Sequence, residues 1–203
     1  MNKEFIKTLP SSIRDNRSRG TVGEFLMGKI LPGSKLLSVS AYFTIYAYDA
    51  LKSHLNKIER LDFLFGEPRF IASLDPNKID KKSFKIEDEE IKLSNRLEQN
   101  RIAKECAEWI KQKVQIKSIR QSNLLHGKLY HIDNNGVEEA IMGSSNFTVK
   151  GLGLSLNNNI ELNLEVDSKR DRNDLKDWFY EIWNNDKIVE DVKDEVLAYL
   201  GHL

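Results

Sequence analysis

The sequence predicts an α/β domain in which a mixed β-sheet is flanked by helices. Three observations carry that expectation. Segments of helical apolar periodicity alternate with short β-branched runs along most of the chain. A cluster of strand patterns in the second half is interrupted by Asp133-Asn134-Asn135-Gly136, a strong hairpin-turn signal. Two amphipathic patterns then close the chain. At 203 residues there is room for one well-buried domain.

Taken in order, a short helix is expected near Val22–Lys29, followed by a strand over Lys35–Ala41. The next helix, about Ile45–Ile58, has Tyr48, Leu51 and Leu55 as its apolar stripe. Leu61–Phe65 reads as a buried strand ended by Gly66-Glu67-Pro68. Residues 73–95 are polar and irregular, with Asp75-Pro76-Asn77 as a turn, and read as a loop or insert. A long helix over Leu93–Lys113 leads into strands at Val114–Ile119, Leu124–Ile132 and Glu139–Met142, and a further strand covers Asn159–Val166. Helices at Asp171–Trp183 and Val189–Leu200 follow, so that 169–203 closes the domain. In the first of these, Trp178, Phe179, Ile182 and Trp183 are spaced as a core-facing stripe. The last helical pattern is still periodic where the sequence stops, which suggests a piece of a longer protein.

Composition bounds the function. Hydrophobic residues make up 40% and charged residues 31% of the chain, ordinary for a soluble globular protein. No apolar run approaches the roughly 20 residues that span a bilayer, and residues 1–20 hold no signal-peptide core. Cys106, the single cysteine, excludes an internal disulfide and fits a reducing compartment, so a cytoplasmic protein is expected. Cys106 shares a helical pattern with Ile102, Trp109 and Ile110, which points to a buried thiol. No His/Cys/carboxylate spacing resembles a zinc site, and neither metal nor cofactor is expected. Lys and Arg total 31 and Asp and Glu 31, which argues against a wholly basic nucleic-acid binder. Yet no acidic residue occurs from Trp109 to Ile132, where Lys111, Lys113, Lys117, Arg120 and Lys128 are basic, and Arg14, Arg17 and Arg19 form a second cluster. A basic tract beside a site favours a polyanionic substrate, and solvation of strand and helix edges is the competing explanation.

The chemistry is concentrated in His126-Gly127-Lys128 and Gly143-Ser144-Ser145-Asn146. Residues two apart on a strand share a face, so His126 and Lys128 are expected to project together, and Ser144 with Asn146 if extended backbone continues past Gly143. An imidazole, an ammonium, a hydroxyl and a carboxamide around one point make a nucleophile and a phosphate cradle. Asp133, an odd number of positions from His126, is expected on the opposite face as scaffold, with His131.

The pattern H-x-K-x-x-x-x-D followed by G-S-x-N resembles the HKD motif of the phospholipase D superfamily, matched at His126, Lys128, Asp133, Gly143, Ser144 and Asn146. The spacing from Asp133 to Gly143 is longer than the usual family pattern, as a longer hairpin around Asn134-Asn135-Gly136 would explain. Asn159-Ile160-Glu161-Leu162 resembles the N-x-E element that follows the motif, which implies that Glu161 holds the catalytic histidine, with Glu165 as runner-up. The runs Asp15-Asn16-Arg17, Gly20–Leu26 and Val39-Ser40-Ala41-Tyr42-Phe43-Thr44 resemble the phospholipase-D-like module at the front of bacterial Swi/Snf-type helicases. No G-x-x-x-x-G-K-[ST] phosphate loop is present, so a motor would lie beyond Leu203.

The resemblance implies a phosphodiesterase without metal or cofactor. His126 would attack phosphorus to give a phosphohistidine, Glu161 would orient it, and Lys128 and Asn146, helped by Ser144, would stabilise the phosphate oxygens. In the superfamily a second HKD copy supplies the histidine that protonates the leaving oxygen. This chain has one copy, and His54 and His202 lack the following lysine. The expectation is therefore a homodimer with one composite site. DNA is the expected substrate, with Arg17, Arg19, Tyr42 and Arg120 as candidate nucleic-acid contacts, while Arg69 could guide the same backbone. For Tyr42 and Phe43, core or dimer packing is the competing role. The alternatives are a non-catalytic dimeric nucleic-acid-binding module and, lacking a secretion signal or membrane anchor, a lipid-directed phospholipase.

Overall fold

A computed structural model of the chain describes residues 11–67, 96–122 and 124–203. The irregular segment at 73–95, Arg69 and the first turn of the helix expected from Leu93 lie outside these residues. The described elements are β1 (Ile13–Arg14), α1 (Val22–Lys29), β2 (Lys35–Ser40), α2 (Ile45–Leu55), β3 (Arg60–Phe65), α3 (Arg96–Lys113), β4 (Val114–Ile119), β5 (Lys128–Asn134), β6 (Val137–Gly143), β7 (Asn163–Glu165), α4 (Lys169–Trp183), β8 (Val189–Asp191) and α5 (Lys193–Leu200).

The strands form one eight-stranded mixed sheet in the order β1-β7-β6-β5-β2-β3-β4-β8, so the expected α/β class with a helix-flanked mixed sheet is the fold observed. β2, β3 and β4 run parallel, while β5 pairs antiparallel with β2 and opens the β5-β6-β7 meander. Asn135 and Gly136, at φ 53° and 90°, form the two-residue turn that sets the register Asn134↔Val137.

Helices α1, α2, α3 and α5 cover the front face, burying Phe25, Leu51, Cys106 and Val196 against Phe63, Ile116, Tyr130 and Ile141. Burial pushes the Cys106 thiol pKa well up, as an inert core residue requires. On the back face α4 is the only helix in the buried cluster among the described residues, packing Phe179 and Trp183 against Leu37, Val39, Leu64 and Leu129. Its earlier turns reach the hairpin end of β5, where Lys176 meets Asp133 at 3.4 Å. Neither contact extends to the other end of β6 and the approach to β7, where Met142, Leu162 and Leu164 remain exposed.

Most element bounds differ from expectation by a few residues, and four larger differences arise because backbone pairing overrides side-chain pattern. β5 begins at Lys128 rather than Leu124, because its partner β2 is engaged only as far as Val39↔Leu129. His126 thus precedes the strand, and its orientation is not set by strand alternation. β7 spans three residues: before it, the Glu161 N–H goes to Asp15 O and the Leu162 N–H to Ser144 Oγ. Val189–Asp191 is an antiparallel edge strand on β4 rather than the start of the last helix, which suits its β-branched start. Ile13–Arg14, absent from the expected elements, pairs with β7.

Candidate active site

Apart from Asp133, the motif residues gather where β2 ends, β5 begins and β6 ends. Lys128 is in register with Gly143, which is in register with Asn163 across the next strand. Gly143 is dictated by space, since a Cβ there would lie 2.1 Å from Leu162 O and 2.6 Å from Asn163 Oδ1. Its absence lets the chain approaching β7 close over the end of β6, bringing Glu161 to Ser144.

Ser144 donates its hydroxyl proton to Glu161 Oε2 and accepts the Leu162 N–H at 3.0 Å. Buried Ser145 is held by Asn163, whose Nδ2 donates to Ser145 Oγ at 2.8 Å, and its carbonyl accepts the Tyr130 hydroxyl at 2.8 Å. Asn146 Oδ1 accepts the Ala41 N–H at 2.9 Å and lies 3.2 Å from Ser40 Oγ. A backbone N–H can be met only by the oxygen of a carboxamide, so this contact fixes which way the group points. Its Nδ2 has no acceptor among the described residues and keeps two N–H donors for a ligand. Ser40 Oγ also accepts the Phe147 N–H at 2.9 Å, tying the end of β2 to the turn.

Lys128 is half-buried, and its Nζ donates to His126 O at 2.7 Å. Burial lowers its pKa from the ordinary lysine value, and the nearby Glu161 carboxylate partly opposes that shift. His126 is exposed, two residues before the strand. Its segment crosses Gly66, where a Cβ would lie 2.9 Å from Leu125 O. Lys128, Ser144, Asn146 and Glu161 are thus brought to one end of the sheet with His126 on the approach to it. Such a group can supply a nucleophile, a cation, a carboxamide donor and a carboxylate to an anionic phosphodiester.

The other candidate residues fall into two groups. Asp133 lies at the hairpin end, accepting the Gly136 N–H at 2.6 Å and pairing with Lys176. Buried His131 has its Nε2 3.2 Å from Glu138 Oε1, and burial lowers its pKa, with Glu138 opposing. Glu165 accepts from Arg14 at 3.4 Å. Arg17 is exposed on the loop whose Asp15 carbonyl receives the Glu161 N–H, and Arg19 pairs with Asp15 at 3.0 Å. Tyr42 is exposed directly after Ala41, whereas Phe43 stacks on Phe147 in the core at 5.1 Å. Arg120 stands apart, three strands from β5 or roughly 14 Å. It donates to the Asp186 and Val189 carbonyls and pairs with Glu190 at 2.9 Å. Much of the basic tract is engaged in the fold: Lys113 caps the Asn56 and Ile58 carbonyls, and Lys117 the Trp183 carbonyl. Ser40, Ser145 and Asn163 are the supporting residues that motif spacing missed. The available signal was a polar residue at a buried strand position, Ser40 after Val39 and Asn163 between Leu162 and Leu164.

Among the described residues no group of three or more His, Cys, Asp and Glu side chains is arranged to hold a metal ion, and no helix is long and apolar enough to cross a membrane.

This fold and these motif residues define a phospholipase-D-like domain. The family model for the PLD-like domain of cardiolipin synthase matches residues 74–183, more than half of the sequence, and the chain belongs to that PLD-like domain family. Membership supports phosphodiester chemistry of the hydrolase type at the level of the superfamily. Among solved structures, the chain is similar to polyphosphate kinase from Porphyromonas gingivalis at 10% identity and a TM-score of 0.48, over 86% of this chain and 21% of that one. The chain therefore spans about a fifth of that protein's length. No curated protein matches it.

Proposed function

We propose that the chain is a metal-independent phosphodiesterase that cleaves DNA through a phosphohistidine. The observation that carries the reading is the oriented Asn146 carboxamide beside the partly desolvated Lys128, since two fixed donor groups at one strand end suit a phosphate better than a neutral ligand. His126 attacks phosphorus in line, forming an N–P bond as the P–O bond to the leaving group breaks. Water then attacks phosphorus and releases the imidazole. Lys128 and Asn146 Nδ2 hold the non-bridging oxygens through both steps. Ser144 acts through Glu161, to whose carboxylate it donates a hydrogen bond, and Glu161 sets the charge balance around Lys128 and the imidazole. The leaving oxygen needs a proton, which His126 of a second copy supplies in a homodimeric composite site, and that imidazole, now neutral, takes the proton of the attacking water in the second step.

DNA is favoured over lipid by the exposed Arg17 and Tyr42 beside the site, which suit a phosphate backbone and a base or sugar. A place at the front of a longer Swi/Snf-type helicase chain, in the cytoplasm, fits the same reading, with residues 1–203 as one domain. A second reading is a dimeric nucleic-acid-binding module without turnover, which the exposed Arg17 and Tyr42 would serve equally well.

Incubation with single- and double-stranded DNA in excess EDTA, alongside a folded His126→Ala variant, separates the readings. Cleavage that survives chelation and falls by about a thousandfold or more in the variant supports the phosphohistidine mechanism. Binding without cleavage by the wild type supports the module, and cleavage abolished by EDTA overturns metal independence.

A further inference from the structure

In the run Asp15-Asn16-Arg17, Arg17 lies exposed on the substrate side of the site, while Asn16 has no part in the chemistry described above. Asn16 is nevertheless buried, at 6% exposure, where the chain leaves β1. Its φ of 61° lies in the left-handed region, which asparagine tolerates better than most residues with a side chain. Backbone groups of two other segments take both ends of its carboxamide. Nδ2 donates to Gly151 O at 2.8 Å, and Oδ1 accepts the Val22 N–H at 3.2 Å, an amide that the first turn of α1 cannot satisfy by itself. The Asn16 N–H donates to Gly20 O at 2.9 Å. One side chain thus joins the 15–20 loop to the start of α1 and to the segment that follows Asn146. The joint is tight: a Cβ on Gly153 would lie 2.8 Å from Asn16 Oδ1, and one on Gly151 would lie 2.6 Å from Asn146 O.

We propose that Asn16 is the positioning residue that holds Glu161 at the site. The carbonyl of its neighbour Asp15 accepts the Glu161 N–H at 3.3 Å, and the Glu161 carboxylate takes the Ser144 hydroxyl. The Asp15 carboxylate bonds back into its own loop, accepting the Arg17 and Arg19 N–H groups at 2.8 and 3.0 Å and pairing with the Arg19 guanidinium. Asp15 therefore shapes the loop, and Asn16 fastens it to the rest of the fold. The pairing of β1 with β7 stops at Arg14↔Asn163, so beyond that point the side chain of Asn16 holds the middle of the loop. A carboxylate that acts through its charge needs a fixed place, and a displacement of about 1 Å can cost on the order of a hundredfold in rate. The inference rests on the phosphodiesterase reading for its chemistry and adds the residue that sets the place of the carboxylate. Asn16, being buried, acts through Glu161 and not on the phosphodiester.

The test is Asn16→Gly, because glycine enters the left-handed region at no steric cost and removes the carboxamide alone. Amide hydrogen exchange followed by NMR reads the placement of Glu161, and steady-state DNA cleavage in excess EDTA reads its consequence. In the folded variant the Glu161 amide should exchange about tenfold faster, while the Glu165 amide, bonded to Ser12 O, keeps its rate. The kcat should fall about ten- to a hundredfold with KM within about twofold of wild type. In a Glu161→Gln background the same substitution should cost little further kcat. Unchanged exchange at Glu161 overturns the proposal. Faster exchange with kcat untouched, or an additive loss in the Glu161→Gln background, overturns it as well and leaves Asn16 a structural residue alone. A wild type that binds DNA without cleaving it overturns the phosphodiesterase reading instead, and the exchange comparison still decides whether Asn16 holds Glu161. Should Asn16→Gly not fold, Asn16→Asp keeps the acceptor for the Val22 N–H but sets a carboxylate oxygen against the Gly151 carbonyl, and both readouts carry the same expectations.

Discussion

The turn from Ser144 to Phe147 and the lead-in from Leu124 to Gly127 carry the two walls of the candidate site, and the fold holds them differently. Each of the four turn residues is bonded to a distant segment: Ser144 to Glu161, Ser145 to Asn163, Asn146 to Ala41 and Phe147 to Ser40. The lead-in crosses Gly66 outside the β5 ladder, and His126 O takes the Lys128 ammonium. In the proposed mechanism this division is useful. Donors that stabilise developing charge work best when already fixed, whereas a nucleophile must approach phosphorus and then withdraw with a covalent bond broken. The cradle is thereby braced by four distant bonds, and the histidine is exposed on the approach to β5.

The largest effect that would break this contrast is expected at Gly143. Alanine places its Cβ 2.1 Å from the Leu162 carbonyl, a backbone atom that cannot swing aside. Gly143→Ala should lose about 3 kcal/mol of stability, the upper part of the range for overpacking. Urea denaturation should show the loss as a lower midpoint. Gly127→Ala, on the lead-in, meets nothing within 4 Å and should change the midpoint little. Equal losses at the two glycines would remove the contrast.

The legibility of the sequence divides along the same line. The α1 capping box from Thr21 to Glu24, the hairpin at Asn135-Gly136 and the stripe of α2 are local, and their residues announce them. The HKD positions are also readable, because the chemistry demands particular residue types at fixed spacing. The support beneath them is non-local. Ser40 meets Asn146 across 106 positions and Asp15 meets Glu161 across most of the chain. Neither pairing leaves a periodic trace. For the same reason, strand length was overestimated at Leu124–Gly127 and Asn159–Leu162, where extended-looking residues spend their backbone bonds on loops. Basic composition overstated the nucleic-acid surface because Lys113, Lys117 and Arg120 bond carbonyls that only the folded chain presents.

Ser40 sharpens the comparison by testing whether the braces matter to chemistry or only to stability. Its hydroxyl is buried, donates to Tyr42 O at 2.6 Å and lies beside Asn146 Oδ1. Ser40→Ala should lower kcat about tenfold, near 1.4 kcal/mol, with KM nearly unchanged, because the carboxamide is still present but less well oriented. The decisive measurement is a double-mutant cycle: in an Asn146→Ala background, Ser40→Ala should cost little further activity. Independent, additive losses would make Ser40 a purely structural residue.

The smallest effect on stability is expected at Lys128, where function and stability oppose one another. Burial holds the folded-state pKa of its ammonium below the ordinary lysine value, with Glu161 opposing in part, so at neutral pH the folded protein carries a partly desolvated charge. A group whose pKa is depressed on folding contributes stability above the unfolded pKa and loses it as pH falls through the folded value. For this lysine the cost is therefore fully present at neutral pH and is relieved as pH rises from its folded pKa toward 10.5. Lys128→Met should remove that cost and raise Tm at pH 7, while abolishing cleavage. The gain should shrink as pH approaches 10.5. A thermal-melt series of the two proteins across that range checks both sign and window; a lower Tm at neutral pH would mean that the Lys128–His126 contact stabilises the lead-in by more than the buried charge costs.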